Sequence, residues 1–168
     1  MAVLPDVLGP KLLIVFCGTG VGTRSAQTRS YYARRGNRFW PSLYRTGLTR
    51  RVLQPKQFRQ LLNFRLGLTD LAKSSIGNDP SLSLNDFDRV ALKRKIVRWH
   101  PRIVAFTGKC AAEEYLRRKV GYGLMRERLG QTRFFVLPSP SGSASRYWDE
   151  SRWHELSRVA KKSRWRAA

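Results

Sequence analysis

Apolar residues along this chain gather in short unbroken blocks instead of alternating with polar ones. The clearest are 12–17 (Leu12-Leu13-Ile14-Val15-Phe16-Cys17), 103–106 and 134–137, and 66–71 adds a fourth. A strand with one wet face alternates, whereas a strand covered on both faces does not, so each block reads as a buried strand. Between the blocks the spacing predicts helices over 37–46, 55–63, 85–99 and 109–119, with a last one from about 148 to 166. Strands alternating with helices imply an α/β fold with a mainly parallel sheet covered on both faces.

Helix signals differ in kind. Asp86 and Asp88 open the 85–99 helix where the macrodipole favours anions, Lys93, Arg94, Lys95 and Arg98 fill its later turns, and His100-Pro101 stops it. In the last helix Trp148, Trp153, Leu156, Val159 and Ala160 share one stripe, leaving Arg158, Lys161 and Lys162 to solvent. Those tryptophans read as core anchors rather than base-stacking groups.

Composition narrows the partner. The chain has 168 residues, with 33 Lys+Arg against 11 Asp+Glu and a formal charge of +22. An excess this large repels itself unless a polyanion neutralises it, which points to nucleic acid and to binding that weakens steeply with salt. The 42% hydrophobic content predicts one folded domain over 1–168 with a real core. Cys17 and Cys110 have no second Cys or His at ligand spacing, so the expectation is reduced thiols, no metal and no cofactor. Pro5, Asp6, Pro10 and Lys11 break the first apolar stretch, which fits neither a signal peptide nor a spanning helix. An intracellular monomer with no membrane contact is the resulting expectation.

Chemistry concentrates after the first strand. Gly18-Thr19-Gly20-Val21-Gly22-Thr23-Arg24-Ser25-Ala26 follows the apolar block, and Tyr31-Tyr32-Ala33-Arg34-Arg35-Gly36-Asn37 follows that. A glycine turn at a strand end presents backbone N–H groups, and rings and cations beside it suit a flat, anionic ligand. A dinucleotide site needs an acid for the ribose hydroxyls about 20 residues on, yet no acid stands between Asp6 and Asp70. A P-loop needs a Gly-Lys-Ser/Thr triplet, which is missing here. In parallel sheets ligands sit beyond the carboxyl ends of strands, and 18–26, 107–110 and 138–146 all meet that description.

Several of these segments, met in order, resemble the mismatch-specific uracil-DNA and thymine-DNA glycosylase family of the uracil-DNA glycosylase superfamily. The resemblance is carried by Leu4-Pro5-Asp6-Val7-Leu8, the 18–26 segment, Gly36-Asn37-Arg38-Phe39-Trp40, Gly67-Leu68-Thr69-Asp70-Leu71, the 101–110 segment and Leu137-Pro138-Ser139-Pro140-Ser141. It implies a three-layer αβα domain that flips uracil or another deaminated or mispaired base from DNA and hydrolyses its N-glycosidic bond. It implies that the Tyr32 ring stands against the base; beside it, backbone groups of Gly18, Thr19 and Gly20 can donate to the departing base and Ser25 can add a hydroxyl hydrogen bond. The 138–146 loop, with small side chains, two prolines and a terminal cation, reads either as a loop that enters a DNA groove or as an ordinary surface loop; the DNA-contacting candidates are Asn37, Lys109, Ser139, Ser141, Gly142, Ser143 and Arg146, the last as a DNA-penetrating side chain.

The sequence departs from the family where the resemblance places the water-holding asparagine and its following proline: Gly20 and Val21 stand there. The Asn-Pro-Ser-Gly seen in many members is Ser139-Pro140-Ser141-Gly142, and Ser143 replaces an apolar wedge. A carboxylate elsewhere is then the candidate for stabilising a cationic sugar and orienting water. Asp70 is the first candidate and Asp79 the second. Other readings stand beside these: Asp70 caps a turn or accepts the base's ring N–H, Asp79 makes an Asp-Pro turn, Ser25 caps the next helix, and Tyr32 packs under the Arg34-Arg35 loop. The alternative function is a module of the same fold that binds lesions or abasic sites without cutting.

Overall fold

The computed structural model describes residues 2–77 and 87–165, with side chains to 162. Five strands form one sheet: β1 (Ile14–Val21), β2 (Leu66–Ile76), β3 (Ile103–Phe106), β4 (Gly123–Leu129) and β5 (Thr132–Val136). Their order is β2-β1-β3-β5-β4; all neighbours run parallel except β4 against β5. The helices are α1 (Thr23–Thr28), α2 (Phe39–Arg45), α3 (Arg89–Trp99), α4 (Lys109–Leu116) and α5 (Glu150–Trp165).

Alternate strand residues feed two cores, and this makes the fold three-layered. Ile14, Phe16, Ile103, Ala105 and Phe135 join Phe39, Leu43, Trp153, Leu156 and Ala160 from α2 and α5 on one face. Cys17, Val104, Phe106, Phe134 and Val136 join Leu92, Ile96, Ala111 and Ala112 from α3 and α4 on the other. The four apolar blocks are therefore strands buried on both faces, as their lack of alternation requires. Trp153 lies fully inside, its ring stacked on Phe16 at 6.0 Å between centroids.

Several expected boundaries move. The 55–63 stretch is a 3-10 segment, Pro55–Phe64, and the 109–119 helix ends at Leu116 because Arg117 adopts a left-handed conformation. Asp88 caps α3 by accepting from the Ala91 N–H at 2.8 Å. The last helix begins at Glu150, after a 3-10 segment at Gly142–Tyr147 that takes up Trp148 as its C-cap. Two elements are additions to the expected set: α1 and the antiparallel strand β4. Asp86 and Asp79 lie outside the described residues. Among the described residues no helix is long and apolar enough to cross a membrane.

The largest difference concerns the glycine segment. Instead of turning at Gly18, β1 runs on to Val21, pairing Gly18 with Asp70 and Gly20 with Ala72. Gly18, Gly20 and Gly22 all have ordinary negative or extended backbone angles, so conformational freedom is not what glycine supplies there. Strand β3, by contrast, pairs only with Ile14 through Cys17. Beyond Cys17 the β3 side of β1 has no strand beside it among the described residues, and a cleft opens there.

Candidate active site

The cleft has a volume of about 760 Å³ and sits at the carboxyl ends of β1, β3 and β5. The three segments singled out from the sequence all border it: residues 18–25, Thr107 with Gly108, and Ser139 through Ser141. Ligand sites in parallel sheets form at such strand ends because loops diverge there while the sheet holds their roots fixed. Tyr32, Asn37 and Ser143 also line it, and so do the exposed cations Arg24, Arg34 and Arg35. Asp70 is the one acid among the described lining residues.

Four groups converge on its floor. A Cβ placed on Gly18 would stand 3.0 Å from Asp70 Oδ1, 3.4 Å from Thr107 Oγ1 and 3.6 Å from the Tyr32 hydroxyl. Glycine is needed at position 18 for this close approach. The Tyr32 and Thr107 hydroxyls share a hydrogen bond of 3.0 Å, and the Tyr32 ring stacks on Phe39 with centroids 4.0 Å apart. Tyr32 therefore packs by one face within the 31–40 segment while bordering the cleft.

Asp70 is 5% exposed, and burial raises its carboxyl above the ordinary aspartate range, opposed by the Lys73 ammonium 3.4 Å from Oδ2. Its two oxygens have different surroundings, Oδ2 toward Lys73 and Oδ1 toward Gly18. The same burial raises the phenols of Tyr31 and Tyr32 and the thiol of Cys17, so these groups stay neutral near pH 7.

The remaining candidates are distributed around this floor. Ser25 Oγ accepts the Ala33 N–H at 3.0 Å and so ties α1 to the Tyr32 backbone; the helix cap is Gly22, not Ser25. Asn37 Oδ1 accepts the Phe39 N–H at 2.9 Å, starting α2. Ser141 Oγ and Ser143 Oγ are 2.8 Å apart, and Gly142 packs beside the Gly36 carbonyl. Arg146 is exposed at the end of the Gly142–Tyr147 segment, its guanidinium 6.0 Å from the Tyr147 ring, and it does not border the cleft. Lys109 points its Nζ at the Tyr122 ring, 4.5 Å away, also outside the cleft lining. Thr107 was singled out only as part of the 107–110 segment, with no role of its own, and Lys73 was missing from the residues named from the sequence. Position alone marked Thr107, the first residue past β3; nothing local marked Lys73.

Comparison with known proteins bears on the family and the fold. The family model described as the uracil DNA glycosylase superfamily matches residues 5–163. Among solved structures, the solution NMR structure of a candidate uracil DNA glycosylase from Methanosarcina acetivorans is similar, with a TM-score of 0.60 and 22% identity over 94% of this chain and 96% of that one. Likeness at that identity speaks for a shared fold.

Proposed function

The chain belongs to the uracil DNA glycosylase superfamily, and from that membership, which implies a DNA glycosylase, we propose that it removes uracil or another deaminated or mispaired base from DNA. On this reading the flipped nucleotide enters the 760 Å³ cleft between β1, β3 and β5. Mispaired bases are favoured because unstacking them costs less than unstacking a sound pair. The Tyr32 ring receives the base, and cations at Arg24, Arg34 and Arg35 receive the flanking phosphates.

Glycosidic cleavage develops positive charge on the sugar and negative charge on the departing base. The Asp70 carboxylate stabilises the first. Water then forms its bond to the anomeric carbon as the N-glycosidic bond breaks, its proton passing to Asp70 and from there to solvent or the released base. Gly20 has no side chain to hold water, so the task moves to the adjoining strand. The observation that carries the reading is Asp70 itself: a buried acid whose Oδ1 adjoins Gly18 at the cleft floor, where the Thr107 and Tyr32 hydroxyls border the same glycine. A pocket with glycine at position 20 also has room for larger bases, which extends the proposed range to deaminated purines.

The test is single-turnover excision from duplexes carrying uracil, a thymine mispair or a deaminated purine, with wild type and Asp70→Asn side by side. Abasic product from wild type and its loss in the variant support the reading; equal cutting by both removes Asp70 from the chemistry. Gly20 and Val21 at the water-holding positions favour a second reading, a lesion-binding module without cleavage. Tight binding by wild type with no base released would select it.

A further inference from the structure

The Lys73 ammonium is held from three sides. Its Nζ lies 3.1 Å from Asp6 Oδ1 and 3.4 Å from Asp70 Oδ2, and it donates to the Tyr31 hydroxyl at 2.9 Å. That hydroxyl donates in turn to the Pro5 carbonyl at 3.0 Å. In a regular strand, residues 70 and 73 would point to opposite faces. They meet here because β2 is irregular: Gly20 pairs with Ala72 but Val21 pairs with Ile76, so the intervening residues bulge and Lys73 turns back.

The N-terminal segment is built onto the same place. The Val3 N–H donates to the Lys73 carbonyl at 2.8 Å, and Val7 and Leu68 exchange backbone hydrogen bonds of 2.9 Å. A Cβ on Gly67 would stand 2.5 Å from the Val7 carbonyl, so glycine lets this segment lie flat on β2. Asp6 is consequently fixed as well: it accepts from Thr69 Oγ1 at 2.8 Å and pairs through Oδ2 with Lys95 at 2.8 Å.

We infer that Lys73 is a positioning residue for Asp70, and that Asp6 sets the share of the Lys73 charge that the Asp70 carboxylate receives. This rests on the reading of Asp70 as the acting carboxylate. Anchoring Oδ2 fixes the rotation of the carboxyl group, so that Oδ1 keeps facing the cleft floor. The positive charge favours the ionised acid that burial disfavours, and Asp6 works against it from behind. The charged and titratable groups around Asp70 are Lys73 on its own strand, Asp6 from the N-terminal segment, Lys95 from α3, Tyr31 and Tyr32 from the loop after α1, and Cys17 from β1. Lys95 is engaged with Asp6 and Thr69, which leaves Lys73 as the cation in contact with Asp70 among the described residues.

The experiment is a direct titration of the Asp70 carboxyl carbon by NMR in selectively labelled full-length protein, alongside the pH profile of excision. Lys73→Met should raise the Asp70 midpoint by about one pH unit or more, Asp6→Asn should lower it, and Lys73→Arg should stay near wild type. The acid limb of kcat should follow these midpoints while KM stays nearly constant. An unchanged midpoint in Lys73→Met, or shifts of the same sign in the two charge-removing variants, overturns the inference. If Lys73→Met fails to fold, Lys73→Gln decides in its place: a raised Asp70 midpoint supports the assignment and an unchanged or lowered one overturns it. Should wild type release no base, the catalytic reading of Asp70 fails, while the titration still decides whether Lys73 governs its carboxyl.

Discussion

Gly18 and Asp70 stand side by side on β1 and β2, and the Cβ that Gly18 lacks would sit 3.0 Å from the Asp70 Oδ1 atom. The same Cβ would lie 3.4 Å from Thr107 Oγ1, so neither neighbour offers an easy retreat. Gly18→Ala should therefore displace the carboxylate while leaving the fold intact. Overpacking of this kind costs about 1–3 kcal/mol of stability, and a carboxylate moved by a few tenths of an ångström should slow excision, by less than the roughly hundredfold that a ~1 Å misplacement costs. Thermal melting together with single-turnover excision checks both; a variant that cuts at the wild-type rate would show that Oδ1 does not act where it lies.

Tyr32 offers two separable contributions. Its hydroxyl bonds Thr107 at 3.0 Å, while its ring stacks on Phe39 at 4.0 Å. Tyr32→Phe removes only the hydrogen bond and should cost about 1 kcal/mol of stability. Tyr32→Ala also removes the stacking platform, and affinity for DNA with an extruded base should fall by a further ~1–3 kcal/mol. Melting curves and binding to a duplex with an abasic-site analogue separate the two effects. Equal losses from both variants would deny the ring a role in holding the base.

Arg24, Arg34 and Arg35 are exposed along the cleft and have no acid beside them in its lining other than the buried Asp70. On the proposed reading, these are the cations of a chain of formal charge +22 that would meet phosphates next to an extruded nucleotide. Each Arg→Ala change should weaken binding to all sequences alike and reduce the slope of log affinity against log salt by about one. The same change at Arg158 on α5, which is exposed but does not line the cleft, should alter the slope less. Fluorescence anisotropy across a salt series measures both, and equal effects at the two places would argue against the cleft as the phosphate-contacting face.

The core strands were legible because burial on both faces leaves no room for polar alternation, as in Ile14 to Cys17 and Ile103 to Phe106. Strand β4 was not, since Gly123–Leu129 lies at the sheet edge and carries three successive charges, Arg126, Glu127 and Arg128, in place of either an apolar block or a clear apolar–polar alternation; charge of this sort keeps an edge from pairing with another chain. Helix α1 has six residues and too little apolar surface to show a stripe. At the site, Gly18, Tyr32 and Asp70 could be named because each belongs to a recognisable segment. Thr107 could be placed in a ligand-site segment but given no role, because its bond to Tyr32 joins distant parts of the chain; Lys73 could not be named, because it depends on a bulge in β2 set by pairing with β1.

Asp70 should cost the protein stability in return for its position. Burial raises its folded-state pKa above the ordinary value of 3.8 despite Lys73, so the folded protein binds a proton more tightly than the unfolded chain. The stability this group supplies is full below pH 3.8 and is lost as pH rises through the raised folded value; above that, ionised Asp70 penalises folding. Asp70→Asn keeps the shape without the charge, and should melt higher than wild type at neutral pH, with the gap closing as pH falls toward 3.8. Asp6 has the opposite sign. Burial pushes it up, but Lys73 and Lys95 outweigh that and hold it below its ordinary value, so its contribution is full above pH 3.8 and lost on acidification. Asp6→Asn should therefore melt lower than wild type at neutral pH. Melting temperatures of the three proteins between pH 3 and 8 read out both signs, and an Asp70→Asn variant less stable than wild type at neutral pH would mean that the Lys73 contact, not burial, dominates at Asp70.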